Sequence, residues 1–189
     1  MNNSQNPSAV QSKEWIMNSL IAPMQVKNYH EITVSEIAER SGIVRRTFYR
    51  NFDSKEDVLD SYLNMLFQKF SDMLSSYAEI DCDLSLRILF NICKENSSVF
   101  KALENSNMLG LMLKKWNVVL PVLHNLLLDK IKQFPQTKSE ESLEYLLTFN
   151  AGGIFNLVVK WIEEGMILTP DELADIVYVF AFGSLMSSQ

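Results

Sequence analysis

The sequence contains little glycine, proline or cysteine: six, five and two among its 189 residues. So few glycines and prolines exclude a collagen-like repeat and long low-complexity segments. Hydrophobic residues make up 47% and charged residues 21%, which excludes extended disorder and is typical of a soluble globular protein. A chain of this length can bury a sizeable core in one large domain, or in a small domain joined to a medium one.

Long apolar runs are also lacking. The longest nearly uncharged stretches, at 118–128 and 176–186, fall short of the roughly 20 residues that a membrane-spanning helix needs. The N-terminal residues lack a basic segment followed by an apolar one, so no secretory signal is expected. The sequence therefore predicts a cytoplasmic protein without a membrane segment.

Sequence signatures of metal sites and enzymes are missing as well. Cys82 and Cys93 form no CxxC pair, and His30 and His124 lie far from both in sequence, which favours two buried helical thiols. The motifs of zinc proteases, serine hydrolases and phosphate-binding loops are absent, as are paired carboxylates. We therefore expect no catalytic activity, no metal and no cofactor.

Helical patterns occupy nearly the whole chain, with almost no period-2 alternation between turn residues. The predicted fold class is all-α. We expect about nine helices, near residues 8–27, 34–41, 45–51, 55–78, 83–95, 98–105, 108–133, 139–164 and 170–186.

Several of these helices begin with a capping signature. A Ser or Thr side chain can accept a hydrogen bond from a free backbone N–H, and an acidic or amide residue follows three positions later. Pro170 adds a proline at a first helical position, whereas Pro23 and Pro121 fall inside helices and predict kinks. The signature occurs at Ser8, Thr33, Ser54, Thr137 and Thr169.

The charge is distributed unevenly along the chain. The net charge is -6 and the pI about 5.0, which by itself argues against a polyanion as partner. Residues 40–55, however, contain four Arg and one Lys against the single acid Asp53, a local charge of +4. A basic segment is therefore embedded in an otherwise acidic protein.

The arrangement of this basic segment predicts a helix-turn-helix. On a helix, Val44, Phe48 and Phe52 recur every four residues as an apolar stripe, while arginines occupy the other side. Upstream, a short helix beginning after Thr33 leads into a glycine turn at Gly42, where small residues would let two helices cross closely. In such a unit the second helix enters the major groove of DNA.

The run Ile32–Leu59 resembles the DNA-binding domain of the TetR family of bacterial transcriptional regulators. A glycine-apolar turn, a Thr-Phe-Tyr core and a Phe-x-x-Lys ending carry the resemblance. It implies phosphate contacts from Thr33, Tyr49 and Lys55, and groove contacts from Arg45, Arg46, Thr47 and Arg50.

Two positions depart from the family's pattern. Val44 stands where a small polar residue often opens the recognition helix, and its side chain can neither cap the helix nor bind a phosphate. Asn51 stands where His or Tyr is common. Both departures are expected to reduce DNA affinity or to shift its source to Arg45 and Arg46.

The resemblance divides the chain into a DNA-binding domain at 1–60 and an effector-binding and dimerisation domain at 61–189. Residues 146–166 resemble the penultimate helix of a Gram-positive subgroup that includes dihydroxyacetone-kinase-operon regulators. With the last helix, this segment would form a four-helix dimer interface. The expected interface residues are Phe149, Gly152, Gly153, Trp161, Val177, Phe180 and Ala181.

Aromatic and Met side chains between the DNA-binding domain and the last helix are consistent with a pocket for a small apolar or aromatic effector. For each residue taken alone, ordinary core packing is the more common explanation. The candidates are Phe90, Cys93, Met108, Met112, Trp116 and Phe155.

These features predict a homodimeric, ligand-responsive regulator of transcription, a repressor that binds a palindromic operator in double-stranded DNA. Two recognition helices about 34 Å apart would read the two half-sites. The alternative is a coactivator or adaptor of the same fold that acts through protein–protein contacts, an alternative that Val44 keeps open.

Overall fold

The computed structural model describes residues 7–127 and 140–186, and within them the side chains of residues 11–125 and 142–179. These residues form nine α helices and one 3-10 turn (Tyr29–Glu31), and no strand is present among them. The predicted all-α class is confirmed. The helices are α1 Pro7–Met24, α2 Val34–Arg40, α3 Arg45–Asn51, α4 Lys55–Ser75, α5 Cys82–Glu95, α6 Ser97–Asn105, α7 Gly110–Leu127, α8 Glu140–Glu163 and α9 Pro170–Met186.

The chain forms two compact units. The first comprises the described residues up to Leu66 together with Ser98–Met108, and the second comprises Phe67–Ser97 and the described residues from Leu109 onward. This division differs from a boundary at residue 60, because most of α6 belongs to the first unit and α4 contributes residues to both. Sequence alone did not reveal that a segment near residue 100 folds with the N-terminal helices.

The first unit is built around α1, α2 and α3, which pack on one another. Ile16, Leu20, Ile37 and Phe48 are fully buried in it. The end of α6 is attached to the 3-10 turn of the same unit, because the Ser106 hydroxyl accepts a hydrogen bond from the Tyr29 backbone N–H at 3.1 Å.

In the second unit, α5 packs on α9 and α7 packs on α8. The rings of Phe67 and Phe70 each lie 5.5 Å from that of Trp116 at the centre of its hydrophobic core. The Arg87 guanidinium joins α5 to α9, since it donates to the carboxylates of Asp171 and Asp175 as well as to Asp83 on its own helix.

Side-chain caps fix several helix starts, as the sequence predicts. Thr169 and Glu172 form a reciprocal pair at the start of α9: the Thr169 hydroxyl accepts from the Glu172 N–H, and the Glu172 carboxylate accepts from the Thr169 N–H. Ser54 accepts from the Asp57 N–H before α4. Asp81, which the pattern did not indicate, caps α5. Thr137 lies outside the described residues, as does the side chain of Ser8.

Candidate nucleic-acid interface and ligand cavity

The turn between α2 and α3 is set by Gly42. Its φ of +68° lies in the left-handed region, which glycine adopts without a Cβ penalty. The Gly42 N–H bonds to the Glu39 carbonyl and the Ile43 N–H to the Ala38 carbonyl, a Schellman ending that stops α2. No described atom lies within 4 Å of a Cβ placed on Gly42. The turn therefore needs glycine for its backbone angle, and not for the close helix crossing that the sequence suggested.

Helix α3 has a buried face and a basic face. Phe48 is fully buried, with its ring 6.2 Å from that of Phe52. The side chains of Arg45, Arg46 and Arg50 are exposed. Because residues four apart lie on the same side of a helix, the phenylalanines that pack in the core are separated from the arginines. The arginines remain accessible to a polyanion.

Tyr49 lies on the exposed side of the same helix. The Arg45 guanidinium carbon lies 6.0 Å from the centre of its ring, and the Phe48 ring packs edge-on with a distance of 5.3 Å between ring centres. The contact with the Tyr49 ring orients the Arg45 guanidinium.

The start of α3 carries no side-chain cap. Val44 occupies the cap position, is 68% exposed and makes no capping hydrogen bond. The backbone carbonyl of the half-buried Thr47 accepts a hydrogen bond from the Asn51 side-chain amide at 2.8 Å. Asn51 thus reinforces the helix locally.

Thr33 caps α2, with its hydroxyl accepting from the Glu36 N–H at 3.2 Å. Lys27 lies 2.8 Å from the Glu36 carboxylate, and this contact holds the pKa of Glu36 below its usual value. The exposed Thr33 hydroxyl thus has a structural role at the position where the resemblance implies a phosphate contact.

Lys55, for which the resemblance implies a phosphate contact, is hydrogen-bonded to the protein's own backbone. Its ammonium donates to the backbone carbonyls of Tyr29 and Ile32, at 2.9 Å each, and of His30 at 3.4 Å. It also lies 4.4 Å from the centre of the Tyr29 ring. These three carbonyls occupy the three N–H donors of an ammonium group, so Lys55 ties the start of α4 to the segment before α2.

The second unit contains a cavity of about 150 Å³ between α4, α5, α7, α8 and α9. Its walls are almost wholly apolar, and Ser85, His124 and Asn150 are among its few polar residues. Burial lowers the pKa of His124, which favours the neutral imidazole. The apolar walls include Phe70, Leu74, Trp116, Leu120, Leu147 and Ile154.

Of the six predicted pocket residues, only Trp116 lines this cavity. Phe90 is fully buried with its ring 6.0 Å from that of Trp161, and Cys93 is buried, which raises the pKa of its thiol to about 12. Met108 belongs to the first unit. Met112 packs against the hydrophobic core, and the half-buried Phe155 is not among the lining residues.

The exposed face of α8 carries large apolar side chains. Tyr145 and Phe149, one turn apart, are 72% and 77% exposed, and Gly153 follows one turn later. No described atom lies within 4 Å of a Cβ built on Gly152 or Gly153, which leaves space above the helix.

Two of the predicted interface residues do not belong to this face. Trp161 is 2% exposed and donates its indole N–H to the Leu168 carbonyl at 3.0 Å, and Val177 is buried and lines the cavity. Both side chains pack inside their own chain. The side chains of Phe180 and Ala181 lie outside the described residues.

One helical stretch in the described part of the chain, Ser142–Glu163, has the length and mean hydropathy (1.2) of a membrane-spanning segment, although the apolar runs in the sequence indicated none. A helix that packs in the core or interface of a soluble protein has the same composition. Among the described residues, no group of three His, Cys, Asp or Glu side chains is arranged to hold a metal ion.

A short helix-turn-helix with a basic outer face, joined in one chain to an all-helical unit with an apolar cavity, defines a helical DNA-binding regulator. Comparison with known protein families supports this class. The profile of bacterial regulatory proteins of the tetR family matches residues 22–62, and that of a transcriptional regulator C-terminal region matches residues 81–183. The chain belongs to the TetR family of transcriptional regulators.

Solved structures share the fold at low sequence identity. The dihydroxyacetone kinase operon activator DhaS is 19% identical, with a TM-score of 0.68 over 94% of this chain and 98% of that one. Lin0861 from Listeria innocua is 15% identical, with a TM-score of 0.73 over 96% and 94%. The fatty acid degradation regulator FadR from Bacillus halodurans is 21% identical, with a TM-score of 0.62 over 93% and 95%. Among curated proteins, none matches the chain significantly by sequence.

Proposed function

We propose that this DNA-binding transcriptional regulator is a cytoplasmic, homodimeric repressor that binds a palindromic operator and responds to a small effector. The exposed basic face of α3, opposite the buried Phe48, carries this proposal. Arg45 and Arg46 occupy the first turn of the helix, which is the part that reaches base edges in a helix-turn-helix. Arginine suits bidentate hydrogen bonding to guanine.

The dimer is supported by the exposed face of α8. Phe149 and Tyr145 expose most of their side chains to solvent, and large apolar side chains grouped on one helix face mark an interaction surface. The two glycines nearby provide room for a second helix to approach. A two-fold pair of chains matches a palindrome, because each copy reads one half-site.

The effector response is supported by the apolar cavity in the second unit. An effector changes DNA affinity only if it binds the DNA-competent and DNA-incompetent conformations with different affinity. The helix α4 contributes residues to both units, which gives a covalent route between the cavity wall and the DNA-binding helices.

Selection of binding sites from a random duplex pool, followed by titration of the selected palindrome, tests this function. Each bidentate arginine contact contributes about 1–3 kcal/mol of discrimination, so Arg45→Ala and Arg46→Ala should each weaken binding about tenfold or more. Arg46→Ala should also relax base preference at one position in each half-site. Lys114→Ala, an exposed cation of α7, is the matched control and should leave affinity near wild type.

The adaptor hypothesis predicts the opposite result. The uncapped Val44 favours it, because an unsupported helix start weakens the DNA-facing element. If the wild type selects no sequence at low salt, or if Arg45→Ala with Arg46→Ala binds as well as the wild type, α3 is not a recognition helix.

A further inference from the structure

Val44 lies at the beginning of α3 and is open to solvent. Helical spacing places it in line with Phe48 and Phe52, which are buried, but Val44 itself is 68% exposed. Its backbone is extended, with φ of -82° and ψ of 151°, and its carbonyl accepts hydrogen bonds from the N–H groups of Thr47 and Phe48 at 2.8 and 3.2 Å. The helix therefore holds the backbone of Val44 in place, while the residue remains mostly exposed.

A valine at this position leaves the helix without a side-chain cap. Val44 makes no capping hydrogen bond, whereas Thr33 at the beginning of α2 accepts one from the Glu36 N–H. Ser, Thr, Asp and Asn stabilise a helix start, and an aliphatic residue does not. Positions where a sequence departs from such a local preference are often functional. Neither helix capping nor core packing accounts for this valine.

The side chains next to Val44 are cationic. Arg45 and Arg46 follow it directly in the chain, and both are exposed. The Arg45 guanidinium lies beside the Tyr49 ring, one turn further along α3, and Val44 stays uncovered. The basic face of α3 therefore begins with an aliphatic group beside two arginines. Because this face is the proposed DNA-binding surface, DNA is the partner that Val44 would meet there.

The major groove offers a particular apolar group to such a side chain. Thymine carries a C5-methyl group at its major-groove edge, which apolar side chains contact, whereas arginine pairs with guanine. We propose that Val44 is a specificity-determining residue that contacts a thymine methyl group in each half-site of the operator. The proposal rests on the proposed DNA-binding function, to which it adds a base that the arginines do not read. The contact uses the methyl groups of the side chain and not the free N–H groups of the helix.

Selection of binding sites from a random duplex pool compares the wild type with Val44→Ser. The wild type should select a thymine at one position of each half-site. Val44→Ser should lose this preference and keep the positions that the arginines read. Val26→Ser is the matched control, because Val26 is a valine of the same unit, 90% exposed after the end of α1. This control should select the wild-type site.

Replacing the selected thymine with deoxyuridine isolates the methyl group, because the base pair and its major-groove acceptor are kept. Burial of one methyl group changes affinity about fourfold, so the wild type should bind the deoxyuridine operator about fourfold more weakly for each half-site. Val44→Ser should bind the two operators equally. The ratio is taken within one protein, so a general change in affinity from a better capped helix cancels.

Thermal unfolding distinguishes this role from a structural one. Serine can cap α3, so Val44→Ser should unfold at a higher temperature than the wild type although it loses the thymine preference. A lower midpoint together with an unchanged thymine preference would show that the side chain packs within the protein and does not read DNA.

The proposal is overturned if removal of the methyl group from every thymine of the selected site leaves wild-type binding unchanged, or if Val44→Ser keeps the wild-type ratio. In both cases, selection of a palindrome that depends on Arg45 and Arg46 leaves the proposed function standing. If the wild type selects no sequence at low salt, the proposed function fails, and this proposal fails with it.

Discussion

The ammonium nitrogen of Lys55 lies 2.9 Å from the carbonyl oxygen of Ile32, the residue that precedes the Thr33 cap of α2. A second carbonyl, that of Tyr29, lies at the same distance. The cation therefore joins the first residue of α4 to the segment that positions α2. A lysine that the family pattern implies at the DNA surface is bound to the protein's own backbone.

Replacing Lys55 should destabilise the first unit without changing the ionic part of DNA binding. Lys55→Met keeps an apolar stem over the Tyr29 ring and removes the charge-assisted hydrogen bonds, which should lower the free energy of unfolding by about 1–3 kcal/mol. Denaturant titration measures this change.

The salt dependence of DNA binding distinguishes this role from a phosphate contact. A lost phosphate contact lowers the slope of log K against log salt concentration by about 0.9 per site, so Lys55→Met should retain the wild-type slope. Arg46→Ala should reduce it. If Lys55→Met reduces the slope as much as Arg46→Ala, the lysine contacts DNA.

The turn at Gly42 should not tolerate a side chain. Gly42→Ala places a Cβ on a residue with φ of +68°, which should destabilise the protein by about 1 kcal/mol. Gly110→Ala is the matched control, because Gly110 opens α7 at an ordinary φ with no described atom within 4 Å of a Cβ, and alanine is a better helix former. Thermal unfolding of both variants tests this prediction, and equal midpoints would show that the turn does not constrain residue 42.

Phe149 should control self-association. Phe149→Glu introduces a charge on the exposed face of α8, and burial of an unpaired carboxylate in an interface should raise the dimer dissociation constant about tenfold or more. Because Phe149 is 77% exposed, the fold of the single chain should be unaffected.

Sedimentation equilibrium measures the dissociation constant. Ile167→Glu is the control, because Ile167 is 84% exposed in the turn between α8 and α9 and away from the proposed face. A wild-type monomer at micromolar concentration that does not pair on DNA, or equal effects of the two variants, would rule out α8 as the interface.

Acidification should destabilise the second unit through His124. Burial lowers the pKa of His124 in the folded state below its ordinary value of 6.5. As the pH falls through about 6.5, the unfolded chain takes up a proton that the folded chain resists, so stability decreases toward the folded-state pKa. Above that range the two states bind the same number of protons, and this contribution is constant.

His124→Asn should therefore flatten the decrease in the free energy of unfolding between about pH 7.5 and 5.5. His30→Asn, at an exposed histidine in the first unit, is the matched control. Unfolding in urea at several pH values gives the slopes. Equal slopes in wild type and His124→Asn would exclude the buried histidine as the source.

Local patterns in the sequence predicted the helices well, and also the division of α3 into a buried apolar face and an exposed basic face. The separation of Phe48 from the arginines of α3 follows from a period of about four residues, and the Thr169–Glu172 cap follows from a spacing of three. Both are relations between neighbours in sequence. The helical spacing of apolar and basic residues places them on opposite faces, which is enough to predict which side of a short helix packs on the core.

Contacts between distant residues were not predictable in this way. Lys55 meets carbonyls more than 20 positions away. The cavity takes side chains from five helices, so periodicity within one helix cannot show which apolar residues face a void. Met108 illustrates the same limit, since its type suits a pocket wall although it folds with the first unit.

In the proposed dimer, the intrachain contacts of Arg87 bear on how two chains would associate. Its contacts with Asp171 and Asp175 fix the beginning of α9 on α5 within a single chain. Two chains that meet through their C-terminal helices would therefore carry preformed surfaces. Their association would be a rigid-body encounter, limited by orientation and not by the folding of a helix after contact.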